Sequence, residues 1–515
     1  MSYWKAAACI LSACALLVSQ EPPFLRVTTR LVEVSVIVTD KQGRAVDGLT
    51  KDDFTITEDG KPQRIESFSV EKVHLLPPPA EPLPPDIFTN RYELKGGAPS
   101  AVTIVLLDLV NTAWRDKYYS RAELVKFLRT QLRPGDRVAI YALSGDLHLL
   151  HDFTSDIAPL IAALGRYKPR PGVDLVSAPS ASSTGDARLD ALIAKGDGLM
   201  YQAYAISRAN RTTAALEAIA ERVAALPGRK NLVWISGGFP IKTGDLGMGR
   251  NFRADVERAT RVLAAANVAV YPVDARGLVA RSGPGFGMSG DSHATRVTMH
   301  VMAERTGGKL FLDTNDISGA IRTAIDDTKL TYMLGYRPSH GTWDGHFQRL
   351  SVKVNRHGVS VRHRTGYVAL ADESTAAADR ADGLKSALAN PLEATGIRLM
   401  AAIKPDTPAP GRLAVRIMIE PADLSFREVD GRWTVKLDMA YVQQPTPAGE
   451  GITLVKDEVN LHMRPETYAK TREKGLIVQK VLTSAGSAHK LRIVVRDAAS
   501  GAAGSVEIPR APRAR

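Results

Sequence analysis

The stretch Ala101-Val102-Thr103-Ile104-Val105-Leu106-Leu107-Asp108 is a near-continuous apolar run that ends on a carboxylate. A strand with one wet face alternates polar and apolar residues. A strand buried on both faces does not, and such runs belong to parallel sheets covered by helices. Working outward, Tyr118 to Leu132 has the spacing of an amphipathic helix stopped by Pro134-Gly135, and Arg137 to Leu143 is a second strand. Asp156 to Leu164 and Asn210 to Leu226 read as helices, the latter ended by Pro227-Gly228. Asn231 to Ser236 is a strand, Arg253 to Ala266 a helix and Val268 to Val273 a strand. Met299 to Arg305, capped by Gly307-Gly308, then the short strand Lys309 to Leu312 and the helix Ile317 to Thr328 close the series. Strand and helix alternating at regular intervals predict an α/β domain over 98–340 with a doubly wound, mostly parallel, Rossmann-like sheet.

The flanks have a different texture. Val32, Val34, Val36 and Val38 repeat with period two, and Phe54, Ile56, Ile65, Phe68 and Val70 continue an alternating pattern. This predicts a small β-sandwich-like module over 24–75. A proline-rich linker follows over 76–97, read as a semi-rigid spacer. Proline and Ser-Ala-Ser-Ser-Thr-Gly between Tyr167 and Ala205 predict a surface insertion, and 281–292 is glycine-rich. Leu350 to Val368 reads as a hairpin about Arg356-His357-Gly358, within a β-hairpin extension over 341–370. A connector spans 371–392. Short strands at Leu413 to Ile419, Trp433 to Val442, Val459 to Met463 and His489 to Val495 predict a second β-sandwich-like module over 393–510, with a basic tail at 510–515.

The 515 residues are too many for one core, and 44% hydrophobic with 24% charged residues is ordinary for a soluble globular chain. The net charge of +12 is scattered, with no run of five Lys or Arg, so it favours anionic partners only in general. The first 20 residues carry Lys5 and an apolar stretch from Ala6 to Val18. That is shorter than the roughly 20 residues needed to span a bilayer, and it predicts a signal peptide and export to the periplasm, cell surface or medium. Both cysteines, Cys9 and Cys14, lie in this segment. Leu11-Ser12-Ala13-Cys14 has the form of a lipobox, but the apolar run continues past it. Ordinary cleavage is therefore favoured, and membrane association is expected only if Cys14 is lipidated.

Several segments together carry a family resemblance. They are Asp108-Leu109-Val110-Asn111-Thr112, the stretch Leu226 to Pro240 with Ser236-Gly237-Gly238, Val270 to Gly277, Ala303 to Gly308 and Tyr332 to Pro338. With Val46 to Phe54 ahead of them, they resemble the von Willebrand factor A-related family of the acidobacterial type. The resemblance covers about 24–370. It implies a Rossmann-like A domain and, in relatives, a protein-binding metal site at the carboxyl end of the sheet. That site takes an Asp-x-Ser-x-Ser loop, a Thr from a second loop and an Asp after the fourth strand, as oxygen ligands for Mg²⁺ or Mn²⁺. Asp108 matches the first Asp, Thr112 replaces the last Ser, and Asn111 is a neighbouring amide. Thr212 or Thr213 takes the place of the second-loop Thr. Val110 has no oxygen to offer, and Ser236-Gly237-Gly238 stands where Thr-Asp-Gly is usual. Asp274 is the remaining carboxylate near the crevice. The expected metal set is thus degenerate: Asp108, Asn111, Thr112, Thr213 and Asp274. Against it stands a simpler reading, in which Asp108 accepts hydrogen bonds from its own loop.

Other chemistry finds little support. His148 and His151 fall on opposite faces of a strand, no Gly-x-Ser-x-Gly elbow or phosphate-cradling glycine loop occurs, and Gly283-Pro284-Gly285 is interrupted by proline. The expectation is a non-enzymatic, exported binding, adhesion or scaffold protein whose partner is a protein or an envelope component, not nucleic acid. The rivals are an envelope hydrolase using Asp108 and Asp274, and a structural envelope protein with a vestigial site.

Overall fold

The computed structural model describes residues 31–509 apart from 73–82, 85, 95–100, 170–183, 240–241, 243–249, 278–289, 341–342, 371–383, 386, 389, 391, 406–411, 446–451 and 484–487. The expected signal peptide with Cys9 and Cys14, most of the proline-rich linker, the Gly-Pro-Gly segment and the basic tail lie outside the described residues.

The chain begins with β1 (Val32–Thr39), β2 (Phe54–Glu58), β3 (Lys61–Gln63) and β4 (Ile65–Lys72), then the short β5 (Ile87–Thr89). The α/β domain follows: β6 (Val102–Asp108), α1 (Trp114–Thr130), β7 (Val138–Ser144), β8 (Asp146–Thr154), α2 (Ile157–Arg166), α3 (Ala187–Val223), β9 (Lys230–Ser236), α4 (Arg253–Ala265), β10 (Val268–Asp274), α5 (Gly290–Thr306) and α6 (Ile317–Asp326). Its strands lie in the order β10-β9-β6-β7-β8, parallel except for β8, which returns antiparallel beside β7 at the edge. All seven residues of β6, of β9 and of β10 are buried, as their apolar centres require. The segment expected as a short strand at 309–312 contributes one bridge, Val273 to Phe311.

The rest of the chain forms β11 (Leu330–Tyr336), β12 (Asp344–Val354), β13 (Ser360–Arg362), β14 (Gly366–Leu370), β15 (Leu399–Pro405), β16 (Arg412–Ile419), β17 (Arg427–Val429), β18 (Arg432–Pro445), β19 (Thr453–Met463), α7 (Pro465–Lys474), β20 (Leu476–Thr483), β21 (Ala488–Asp497) and β22 (Ala503–Pro509). Here the domain boundaries drawn from sequence need correction. Strands β1–β4 pair with β11–β14 to make one sandwich of two sheets, β13-β1-β11-β4 and β14-β12-β2-β3. β11, expected inside the α/β domain, lies between β1 and β4, with Val34 opposite Leu334 and Phe68 opposite Leu334 on its other side. β12, expected in a hairpin extension, pairs with β2 and β14. The α/β domain is therefore an insertion in a β-sandwich. The physical reason is burial: Val34, Val36, Ile56, Tyr332, Leu334 and Tyr336 are almost wholly buried against one another, and neither segment has an apolar partner within itself.

The linker is corrected in the same way. Its β5 adds to the sheet β20-β16-β15-β5 of the C-terminal sandwich, whose second sheet runs β17-β18-β21-β22 with β19 also on β18. Asn90 holds this seam by donating to the Ala394 and Ile397 carbonyls at 2.7 and 2.8 Å. The insertion expected over 167–205 also gives way in part, because α3 starts at Ala187 and runs 37 residues.

Both sandwiches dock at the amino end of the sheet. Arg229, just before β9 and 2% exposed, donates to Asn231 Oδ1, Ser35 Oγ, Tyr271 Oη and the Gly307 carbonyl. Tyr271 in turn donates to Asp327 at 2.8 Å, and Asp327 pairs with Arg362 at 2.7 Å. At the C-terminal end of α3, Arg222 pairs with Asp152 and Glu393, and Thr395 donates to the Arg222 carbonyl at 2.7 Å. Beside Arg229, burial pulls the Lys230 ammonium down to about 8, and it donates to the Leu226 carbonyl.

Because β11 is an interior strand, a fragment of residues 31–75 should show the narrow amide proton dispersion of an unfolded chain. Co-expression with 328–370 should restore dispersion. A folded 31–75 fragment would contradict the shared sandwich.

Candidate functional site

The carboxyl end of β6 brings Asp108 into the crevice between β6 and β9, where open α/β sheets place their ligands. Asp108 is fully buried. Its Oδ2 accepts from Asn111 Nδ2 at 2.8 Å, Trp234 Nε1 at 3.1 Å and Ser236 Oγ at 2.7 Å. Oδ1 accepts from the Asn111 amide at 3.3 Å. No cation faces it in these bonds, so burial raises its carboxyl above the ordinary range while the hydrogen bonds from Asn111, Ser236 and Trp234 oppose the shift. The indole of Trp234 arrives because β9 is buried on both faces, and its N–H needs an acceptor there.

The structure gathers only part of the expected metal set. Asn111 also donates to Thr212 Oγ1 at 2.7 Å, so Thr212, not Thr213, joins the cluster. Thr213 sits about 100° further round α3, and its hydroxyl donates to the Ala209 and Asn210 carbonyls of the same helix. Thr112 Oγ1 donates to the Asp108 carbonyl at 2.5 Å and accepts from the Gly237 amide at 3.3 Å. Asp274 is apart, at the end of β10, with β9 between it and Asp108. Two strand spacings are about 10 Å. Both Asp274 oxygens are taken by Arg276, at 2.8 Å each, and Arg276 also donates its own amide. The two carboxylates of the hydrolase reading thus stand on strands that do not neighbour each other.

The five residues do not fit a common divalent shell in this arrangement. Asp108 is ringed by donors, one of them an indole N–H, and Asp274 is neutralised by a guanidinium. Among the described residues no group of three or more His, Cys, Asp or Glu is placed to hold a metal ion. Gly237 shows why the fourth-strand Asp is missing. A Cβ there would lie 2.2 Å from the Asn111 carbonyl oxygen, so the loop backbone fills the space an aspartate would need. Gly238 follows at φ +72° and turns its amide onto Ser236 Oγ at 2.8 Å.

Above this closed cluster the surface carries a feature that the motif reading passed over. Trp114 and Tyr118 open α1 one turn apart, 60% and 58% exposed, with ring centroids 4.9 Å apart edge to face. The signal was available: two aromatics at i and i+4 directly after a carboxyl-end loop. On the other face of the sheet α3 continues past Thr212 for 25 further residues toward its N-terminus, about 37 Å of helix. Leu189, Leu192, Leu199 and Met200 are exposed along that overhang.

The strand order, with the first strand central and an antiparallel third strand at the edge, together with an Asp on the first carboxyl-end loop, is the arrangement that the resemblance to von Willebrand factor A-related domains implies. No family model and no curated protein matches the chain. Parts of it are similar to several solved structures. An aerotolerance-related membrane protein from Bacteroides fragilis is 14% identical, with 44% of this chain and 98% of that one covered and a TM-score of 0.27. The vWF domain of the type V pili tip protein Mfa5 from Porphyromonas gingivalis is 13% identical, over 44% and 86%, with a TM-score of 0.20. The ArnB paralog VWA2 from Sulfolobus acidocaldarius is 9% identical, over 79% and 78%, with a TM-score of 0.24.

Asp108→Ala should leave the Trp234, Ser236 and Asn111 donors unpaired in a dry pocket and destabilise the chain by about 3 kcal/mol or more, read from urea unfolding. Because the folded carboxyl lies above its unfolded value of about 3.9, its contribution is full below that pH and is lost as pH rises through the folded value. Asp108→Asn should therefore flatten the decline in unfolding free energy between pH 4 and the folded value. An unchanged slope would show that another group titrates.

Proposed function

We propose that the chain is an exported, non-enzymatic binding protein that holds a protein or envelope component on the carboxyl edge of its A-related domain. The observation that carries this reading is the exposed Trp114–Tyr118 pair on that edge. Large aromatics with a polar tip are enriched among the side chains that anchor protein interfaces. The arrangement of the sandwiches supports the same reading. Both are docked at the amino end through Arg229 and Arg222, so the carboxyl edge faces away from them. Asp108 acts beneath this surface as a hub that fixes the Asn111 loop and the start of α1. In this reading contact is metal-independent, and Mg²⁺ or Mn²⁺ adds nothing to it. Export rests on the leader-like first 20 residues; no helix among the described residues is long and apolar enough to cross a membrane.

The test is affinity capture from an envelope extract, with bound proteins identified by mass spectrometry. Wild type should retain the same partner with and without a chelator. The double variant Trp114→Ser, Tyr118→Ser should lose at least tenfold of it while melting at the wild-type temperature. Capture that the double variant keeps, or that the chelator abolishes, would overturn the proposal.

A further inference from the structure

A cavity of about 470 Å³ lies at the opposite end of the domain, where the C-terminal ends of α4 and α5 meet the split sandwich. That volume is in the range of small-molecule sites. Its walls bring guanidinium and aromatic groups together. Arg305 lies with its guanidinium carbon 3.5 Å from the Phe347 ring centroid, and Arg364 lies 5.7 Å from that of Tyr367. Trp343 stands 6.3 Å from Tyr367 and also lines the space.

Three arginines, Arg261, Arg305 and Arg364, line the space, and Arg364 is under-satisfied. Arg364 donates Nη2 to the Glu33 carbonyl at 2.8 Å, while its Nε is buried with no hydrogen-bond partner. Neither Arg305 nor Arg364 forms an ion pair among the described residues. Burial lowers both guanidinium pKa values, whereas Arg222, Arg322 and Arg362, each paired with carboxylates, are raised. Buried charges in folded proteins are paired, and arginine beside an open cavity is the group that takes a carboxylate. Glu33 and Glu257 also line the cavity, so against Arg261, Arg305 and Arg364 one positive charge is left over, which suits an anion of single negative charge.

We propose that this cavity binds a planar aromatic monocarboxylate, with Arg364 and Arg305 holding the carboxylate and the ring lodged among Trp343, Phe347 and Tyr367. The site is separate from the Asp108 cluster and stands or falls independently of the carboxyl-edge reading.

The experiment is calorimetric titration of the full chain with phenylacetate, indole-3-acetate and 1-naphthaleneacetate, each beside its neutral primary amide. At least one acid should bind saturably and at least tenfold more tightly than its amide. Arg364→Gln should erase that preference, Arg305→Gln should reduce it, and Trp114→Ser, Tyr118→Ser should leave it unchanged. Thermal melts confirm that each variant is folded. If Arg364→Gln fails to fold, Trp343→Phe provides the second test, because acid binding should quench wild-type tryptophan emission and the quench should vanish in the variant. Absence of binding by all three acids, equal binding of acid and amide, or a preference that survives in folded Arg364→Gln would overturn the proposal.

Discussion

Arg229 is the constraint on which the architecture turns. An inserted domain must keep a fixed relation to the module that it interrupts, although only the two chain crossings join them. Here one guanidinium spans the gap. It reaches Ser35 on a strand before the insertion, Tyr271 within it and the carbonyl of Gly307 near its end. Through Tyr271 and Asp327 the same network extends to Arg362, on a strand after the insertion. A planar group with five donors suits this role, whereas an ammonium could not serve three directions in one plane. Each donor is buried, so separating the two bodies would strand several polar groups at once.

The second joint, at Arg222, repeats the principle with the C-terminal sandwich, and Leu392 adds apolar packing by entering the core of the α/β domain. With both joints at one end, the opposite end is left to the Asp108 cluster and the aromatic pair. Order and exposure are thereby separated. The loop below the surface is held by a fully buried carboxylate, and the residues above it are free to meet a partner. Gly237 belongs to the first category, because its bare backbone lets the Asn111 peptide close over the place of the missing carboxylate.

Much of this was legible from sequence where a local pattern settles the outcome. β6, β9 and β10 are apolar on both faces, and nothing but a covered parallel sheet accommodates them. Asp108 at the end of such a run was likewise visible. What escaped was set by distant partners. Val34 and Leu334 are 300 residues apart in sequence, and no periodicity within either strand announces the other. Thr212 and Thr213 are adjacent and chemically identical, and only the phase of α3 separates them. Arg364 reads as one more charge in a basic chain until the fold places it against Tyr367. The first half of α3 escaped for another reason: Gly196 and Gly198 interrupt it, and it has no core to face, so its apolar residues give no burial pattern to read.

That overhanging half of α3 gives the two faces of the domain different profiles. α3 packs with α4 on one face of the sheet and α1 with α2 and α6 on the other, so the helix that rises past Thr212 stands across the sheet from Trp114.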